Sequence, residues 1–167
     1  LEDGTAISGV GGQYNFVAMA HDLAGARSVL CIRSTRGSGK QLQSNIVPFY
    51  GHITIPKHLR DVIVTEYGVA DLRGQSDSEI IKRLINITDS RFQAELLEFA
   101  KTHGKLERDY RIPEQARNNT PEHLQQALAQ AARAFGHSQG YSCAGIIINI
   151  ISSIDIIIFR RTTNAGT

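Results

Sequence analysis

The stretch Gly9-Val10-Gly11-Gly12-Gln13 constrains what this chain can fold into more than any other. It sits between a short apolar run, Thr5-Ala6-Ile7-Ser8, and an amphipathic segment over residues 14 to 24. A strand that enters a glycine loop and then a helix leaves backbone N–H groups facing outward. The helix dipole adds to their pull on an anionic or carbonyl oxygen. Glycine also lets a ligand come close to the main chain. Three glycines in four residues are more often simply a tight turn, so both readings stand at this point.

After the loop, Phe16, Val17, Ala20, Leu23 and Ala24 recur at helical spacing, with Gly25 placed to end the helix. Ser28-Val29-Leu30-Cys31-Ile32 is apolar without helical period, and close behind a helix it reads as a buried, parallel strand. The two segments complete a β-loop-α-β unit. Thr35-Arg36-Gly37-Ser38-Gly39-Lys40 is glycine-rich and basic but lacks the lysine spacing of a phosphate loop, and it reads as a solvated hairpin tip. Asn45-Ile46-Val47 and His52-Ile53-Thr54-Ile55 alternate as strands do. Asp61-Val62-Ile63-Val64-Thr65 is another buried strand, and its carboxyl end delivers Glu66, Tyr67 and Gly68 into a loop. In open parallel sheets ligands gather beyond that end of the strands. Glu66 is therefore a candidate for a polar role at a site; equally, it orders its turn by accepting backbone or Arg73 hydrogen bonds.

Ser76-Asp77-Ser78-Glu79 has the form of a capping box and opens a helix carrying Ile80, Ile81, Leu84, Ile85 and Ile87. A second helix is predicted from Asp89 or Ser90 to Gly104, with Phe92, Leu96, Leu97 and Ala100 on one face. Residues 105 to 119 are charged and read as a connector. Thr120-Pro121-Glu122 starts a third helix, with threonine at the N-cap and proline in the first turn. The expected organisation is a domain over residues 1–104, a connector and helix over 105–136, and an isoleucine-rich tail over 137–167. That tail is too short an apolar run for a membrane span. It reads as a buried strand pair or as a segment foreign to the domain.

Charge and chemistry narrow the function classes. Lys plus Arg number 18 against 16 Asp plus Glu, a net charge of +2, so no strong field favours nucleic acid or an acidic membrane. Cys31 and Cys143 have no metal or redox spacing. His52 and His58 flank Pro56 without a nearby ligand set, and no metal is expected. With no secretory signal pattern, a cytoplasmic location fits best. Leu1 in place of an initiator methionine suggests a piece of a longer chain.

Four blocks in order give the chain a family resemblance. Gly9-Val10-Gly11-Gly12-Gln13-Tyr14-Asn15-Phe16 resembles the G-[VI]-G-G-Q-x-D-F signature of the acetyl-CoA hydrolase/transferase family, the acetate and 4-hydroxybutyrate CoA-transferase type. Ser44-Asn45-Ile46-Val47-Pro48 is similar to its S-x-I-V-P segment. Val64-Thr65-Glu66-Tyr67-Gly68-Val69-Ala70-Asp71-Leu72-Arg73-Gly74 is similar to its long V-T-E-Y-G-x-A-x-L-R-G block, on which the resemblance mainly rests. Asp89-Ser90-Arg91-Phe92 looks like its x-x-x-F-R/Q stretch. Where the family has aspartate this chain has Asn15, which keeps hydrogen bonding but loses a charge.

The resemblance implies an α/β fold, an open mostly parallel sheet flanked by helices as in the CoA-transferase C-terminal domain, with a C-terminal helical extension. It also implies transfer of CoA between carboxylic acids through a glutamyl-CoA thioester. The nucleophilic glutamate lies in a family block upstream of the glycine loop and absent here. Gly11 and Gly12 are then the oxyanion donors, and Gly9, Val10, Gly11, Gly12, Gln13 and Asn15 the residues that meet acyl-CoA. Acyl-CoA and small carboxylates are the substrates, and no permanently bound cofactor is expected. The expected partners are the N-terminal part of the same enzyme and further copies of it in a homo-oligomer, with no nucleic acid and no membrane. Two other readings are a Rossmann-type nucleotide-binding module and a non-catalytic interaction domain. G-V-G-G lacks the third glycine of the dinucleotide fingerprint, and no acidic residue ends a second strand to hold a ribose.

Overall fold

A computed structural model describes residues 11–51, 53–134 and 155–160. Helix α1, Gln13–Asp22, leads through a short turn into strand β1, Ala26–Cys31. The chain leaves β1 as a small hairpin of β2, Thr35–Arg36, and β3, Gln43–Ser44. Strands β4, Val62–Thr65, and β5, Gly68–Asp71, are followed by helices α2, Asp77–Asn86, and α3, Ser90–Thr102. Helix α4, Pro121–Ala134, and strand β6, Asp155–Arg160, complete the described elements.

Local chemistry fixes several of the element ends. Ser76 caps α2 by accepting from the Glu79 N–H at 3.3 Å, as the capping-box pattern predicts, while the Glu79 carboxylate turns to Lys82. The buried Asp89 carboxylate caps α3 through the Arg91 N–H. Gly104 follows α3 with φ +63°, and the Thr120 hydroxyl accepts from the His123 N–H at the start of α4. In the hairpin between β2 and β3, Gly37 has φ +76°, and a Cβ there would lie 2.3 Å from the Gln41 carbonyl oxygen. Only glycine closes that turn.

The sheet order is β5-β4-β1-β6. Strands β1 and β4 are parallel, as expected of the two buried runs, with Val29 opposite Val62 and Cys31 opposite Val64. The sheet is nonetheless mixed and not mostly parallel over the described strands, because β5 and β6 both run antiparallel to their neighbours. The reason at β4–β5 is connection length. Two residues, Glu66 and Tyr67, join these strands, whereas a parallel return needs a crossover of a dozen or more.

Leu30, Ile63 and Ala70 from the sheet and Leu72 just after β5 pack with Val17 of α1, Ile55 and Ile87 into one core, and Ile80 and Leu84 of α2 cover it. A second core joins Ile85 of α2 and Ala100 of α3 to Leu106 and Ile112. The segment after α3 is thus held against the helices, and Asn119 Nδ2 donates to the Asn86 and Thr88 carbonyls at 2.8 Å each. Residues 45–47 and 53–55, expected as strands, form no ladder. Their alternation reflects burial, since Ile46 and Ile55 turn onto the first core while Ile53 stays exposed. The expected strand over residues 5–8, His52 and most of the isoleucine-rich tail lie outside the described residues.

Within that tail, β6 pairs with β1 along its whole length, from Ala26 opposite Arg160 to Cys31 opposite Asp155. Removing residues 141 to 167 is therefore expected to uncover one edge of the central strand. A loss of about 5 °C or more in Tm is expected, since each ladder hydrogen bond contributes roughly 1 kcal/mol net and 1 kcal/mol moves Tm by about 3 °C at this size. An unchanged thermal melt would show that β6 adds nothing to the sheet.

Candidate functional site

Two lines of geometry bring the glycine loop and Glu66 to one end of the sheet. Helix α1 has 10 residues and joins β1 through a short turn, so it runs back along the strand. At about 1.5 Å per residue it covers roughly 15 Å, close to the length of β1. Its last turn lies at the amino ends of β1 and β4, where His21 Nε2 meets the Leu59 carbonyl at 3.1 Å and Asp61 Oδ2 at 3.7 Å. Its first turn, with Gly11 and Gly12, therefore lies toward the carboxyl ends. Glu66 follows β4 at that same end.

Gly11 has φ +60°, and Gly11 and Gly12 are both exposed. Gly12 occupies the N-cap of α1 with no side-chain capping bond, so among the described residues no side chain caps the first helical N–H groups. Gln13 is half-buried, and Asn15 points to solvent. Gly9 and Val10 lie outside the described residues.

Glu66 anchors a polar cluster that joins three segments. Its Oε2 accepts from the Ser34 N–H at 2.8 Å. The Ser34 hydroxyl oxygen accepts from the Asp89 N–H at 2.7 Å, and the Ser34 carbonyl accepts from the Asn45 N–H at 2.8 Å. Asp89, fully buried, accepts from the Tyr67 hydroxyl at 3.0 Å. It also takes Nε and Nη2 of Arg91 at 2.9 and 2.7 Å. Thr65 ties the same turn to the end of α2 by donating to the Ile87 carbonyl at 2.7 Å.

The electrostatics follow from these contacts. Burial alone would raise the Asp89 carboxyl, but the Arg91 guanidinium and N–H and the Tyr67 hydroxyl outweigh it and hold the group below the usual carboxylate range. Burial first, and then the bond to the Asp89 carboxylate, push the Tyr67 hydroxyl up, so it stays a donor. Arg91 is held above its ordinary value chiefly by its bond to Asp89. Arg73, one expected partner of Glu66, pairs instead with Asp71 at 2.8 Å.

Of the residues singled out from the sequence, the fold thus brings Gly11, Gly12 and Glu66 toward one end of the sheet. Sequence reasoning missed Ser34, Tyr67, Asp89 and Arg91 as a cluster. The one local signal was aspartate at a helix N-cap with arginine two residues on. Among the described residues no group of three or more His, Cys, Asp or Glu side chains is arranged to hold a metal ion. No helix among them is long and apolar enough to cross a membrane.

The chain is similar to several known proteins. The chain is 39% identical over 99 residues to the 4-hydroxybutyrate coenzyme A transferase of Clostridium kluyveri, a match covering 57% of this chain and 23% of that protein. It is 32% identical over 125 residues to the succinyl-CoA:acetate CoA-transferase of the same organism, covering 74% of this chain and 20% of the other. Among solved structures, RipA from Yersinia pestis is similar with a TM-score of 0.52 and 35% identity, covering 56% of this chain and 22% of RipA. The chain spans less than a quarter of the length of these relatives. Residues 1–100 match the acetyl-CoA hydrolase/transferase C-terminal domain, and the chain belongs to that family.

Proposed function

We propose that this chain is the C-terminal part of a CoA-transferase or acyl-CoA hydrolase and supplies the electrostatic half of its active site. The observation that supports this most is the exposed, uncapped start of α1 at Gly11 and Gly12, set at the carboxyl end of the β1–β4 pair. In this reading a glutamate carried outside the chain attacks the thioester carbonyl. The carbonyl oxygen becomes an oxyanion, CoA leaves as thiolate, and an acyl-glutamyl anhydride forms. The thiolate then attacks the glutamyl carbonyl, releases the first carboxylate and leaves a glutamyl-CoA thioester. An acceptor carboxylate, or water in a hydrolase, resolves it. Each addition places negative charge on one oxygen, and N–H donors fixed in advance stabilise it without reorganising. The remainder of the enzyme, and a second copy in a homo-oligomer, would complete the site.

Glu66 takes a holding role in this scheme. Its bond to the Ser34 N–H fixes the chain where it leaves β1, next to the cluster around Asp89. Glu66→Ala is expected to lower Tm by a few degrees, for a loss of roughly 1 kcal/mol, whereas Glu66→Gln, which keeps an acceptor, stays near wild type. Equal losses in both variants would show that charge, and not the bond, matters there.

Calorimetric titration with CoA, acetyl-CoA and NAD tests the reading as a whole. Selective binding of CoA species with no CoA transfer by the chain alone is the expected result. Binding of NAD in their place would favour a dinucleotide module, and turnover by the chain alone would put the nucleophile on it.

A further inference from the structure

A groove of about 800 Å³ runs between the β2–β3 hairpin and the first half of α3. We propose that it seats a second copy of this chain, in a two-fold pairing that sends Phe49 of each copy into the groove of the other and sets Arg36 of each against Glu95 of the other. The proposal goes beyond the CoA reading and does not depend on it.

The shape of this surface suits such a pairing. Ile46, Val47, Phe92 and Leu96 give the groove an apolar lining. Pro48 and Tyr50 also line it, so Phe49 between them stands at its rim. The Phe49 side chain is 73% exposed, and Tyr50 and Ile53 near it in the chain are 43% and 59% exposed. An uncovered aromatic ring and an apolar hollow are thus adjacent on one surface. Covering a ring of this size contributes roughly 2 kcal/mol, and contiguous apolar surface of this kind marks contact with another molecule. In a two-fold pairing every contact occurs twice, so a knob beside a hollow on one copy meets a hollow beside a knob on the other.

The charges fit the same symmetry. Arg36 and Glu95 both line the groove and both are exposed. The Arg36 guanidinium donates to the neutral side-chain oxygens of Gln43 and Asn45 at 3.2 and 3.3 Å. Neither Arg36 nor Glu95 takes part in an ion pair among the described residues, with each other or with a third group. A groove that holds one unpaired charge of each sign is complementary to itself. An occupant of a single sign would set like charge against Arg36 or Glu95, and a bare hydrocarbon chain would leave both charges facing apolar surface. A second copy answers both charges at once.

Sedimentation equilibrium of the chain over rising concentration tests this, with wild type, Phe49→Ala, Arg36→Glu and Glu95→Arg. All three positions are exposed, so the variants are expected to fold, which a thermal melt checks. Wild type should pass from monomer to dimer. Phe49→Ala should weaken the dimer about tenfold or more, as loss of a buried aromatic anchor does. Arg36→Glu alone and Glu95→Arg alone each bring two like-charge pairs together and should weaken it by about tenfold or more. An equimolar mixture of those two variants should associate as tightly as wild type, because in the mixed pair each reversed charge faces its opposite. A contact within one chain cannot give that result. Wild type that stays monomeric at millimolar concentration would overturn the proposal. So would association that none of the variants weakens, or single-variant losses that mixing does not repair.

Discussion

On the proposed reading, Gly11→Val in a complete CoA-transferase carrying this chain is expected to lower kcat/KM by on the order of a hundredfold or more while the fold survives. The loss should arise in two ways. Gly11 has φ +60°, a left-handed conformation that costs a residue with a Cβ about 1–2 kcal/mol, more when it is β-branched. Relieving that strain turns the peptide planes that aim the N–H groups of Gly11 and Gly12. The second effect is on approach. Apart from its chain neighbours, a Cβ at Gly11 meets no atom of the described residues within 4 Å, so it would project from the exposed loop, on the side where the proposed reading brings the thioester. One oxyanion donor is worth about 3 kcal/mol of barrier, which sets the hundredfold scale. Steady-state kinetics with acetyl-CoA, paired with a thermal melt, check both parts. Near-normal kinetics would return the loop to being only a turn. Gly11→Ala, with less bulk and no β-branch, should fall between the two.

Asp89→Ala is expected to cost stability more than any other single change in the cluster. The carboxylate is fully buried and serves four donors: the Tyr67 hydroxyl, the Arg91 N–H, and two guanidinium nitrogens of Arg91. Removing it strands those donors and uncaps α3. Loss of one partner from a buried, hydrogen-bonded charge pair costs about 3–5 kcal/mol, and because Arg91 is half exposed to water the lower end applies. The expected fall in Tm is about 8 °C. Asp89→Asn separates charge from shape. Asp89 is held below its ordinary value in the folded chain, so its charge stabilises the fold fully above the unfolded value of about 4, and that contribution is lost as pH falls through the lower folded value. The gap in Tm between wild type and Asp89→Asn should therefore be constant near neutrality and close in acid below about pH 4. A gap independent of pH down to the acid limit would remove Asp89's charge from the account.

How much of this could be read from the chain alone divides along a physical line. Features set by residues a few positions apart were legible. The starts of α2, α3 and α4 follow from Ser76, Asp89 and Thr120, whose side chains bond N–H groups within the next three residues. The apolar runs around Leu30 and Ile63 are the buried parallel pair. The long block from Val64 to Gly74 carried the family resemblance without any geometry. The hand of the sheet's outer pairings was not legible from burial pattern alone, because a buried run looks the same whichever way its neighbour points. The two-residue link at Glu66 and Tyr67 decides it for β5, and the partner of β6 lies more than a hundred residues away. The cluster that fixes Glu66 joins Ser34 to Glu66 across 32 positions and to Asp89 across 55. Local propensity carries no information over such separations. Only the path of the chain around the sheet sets Ser34, Tyr67 and Asp89 within hydrogen-bond reach. The sequence by itself determined the local elements and the family, and the tertiary structure decided which of those elements share an edge.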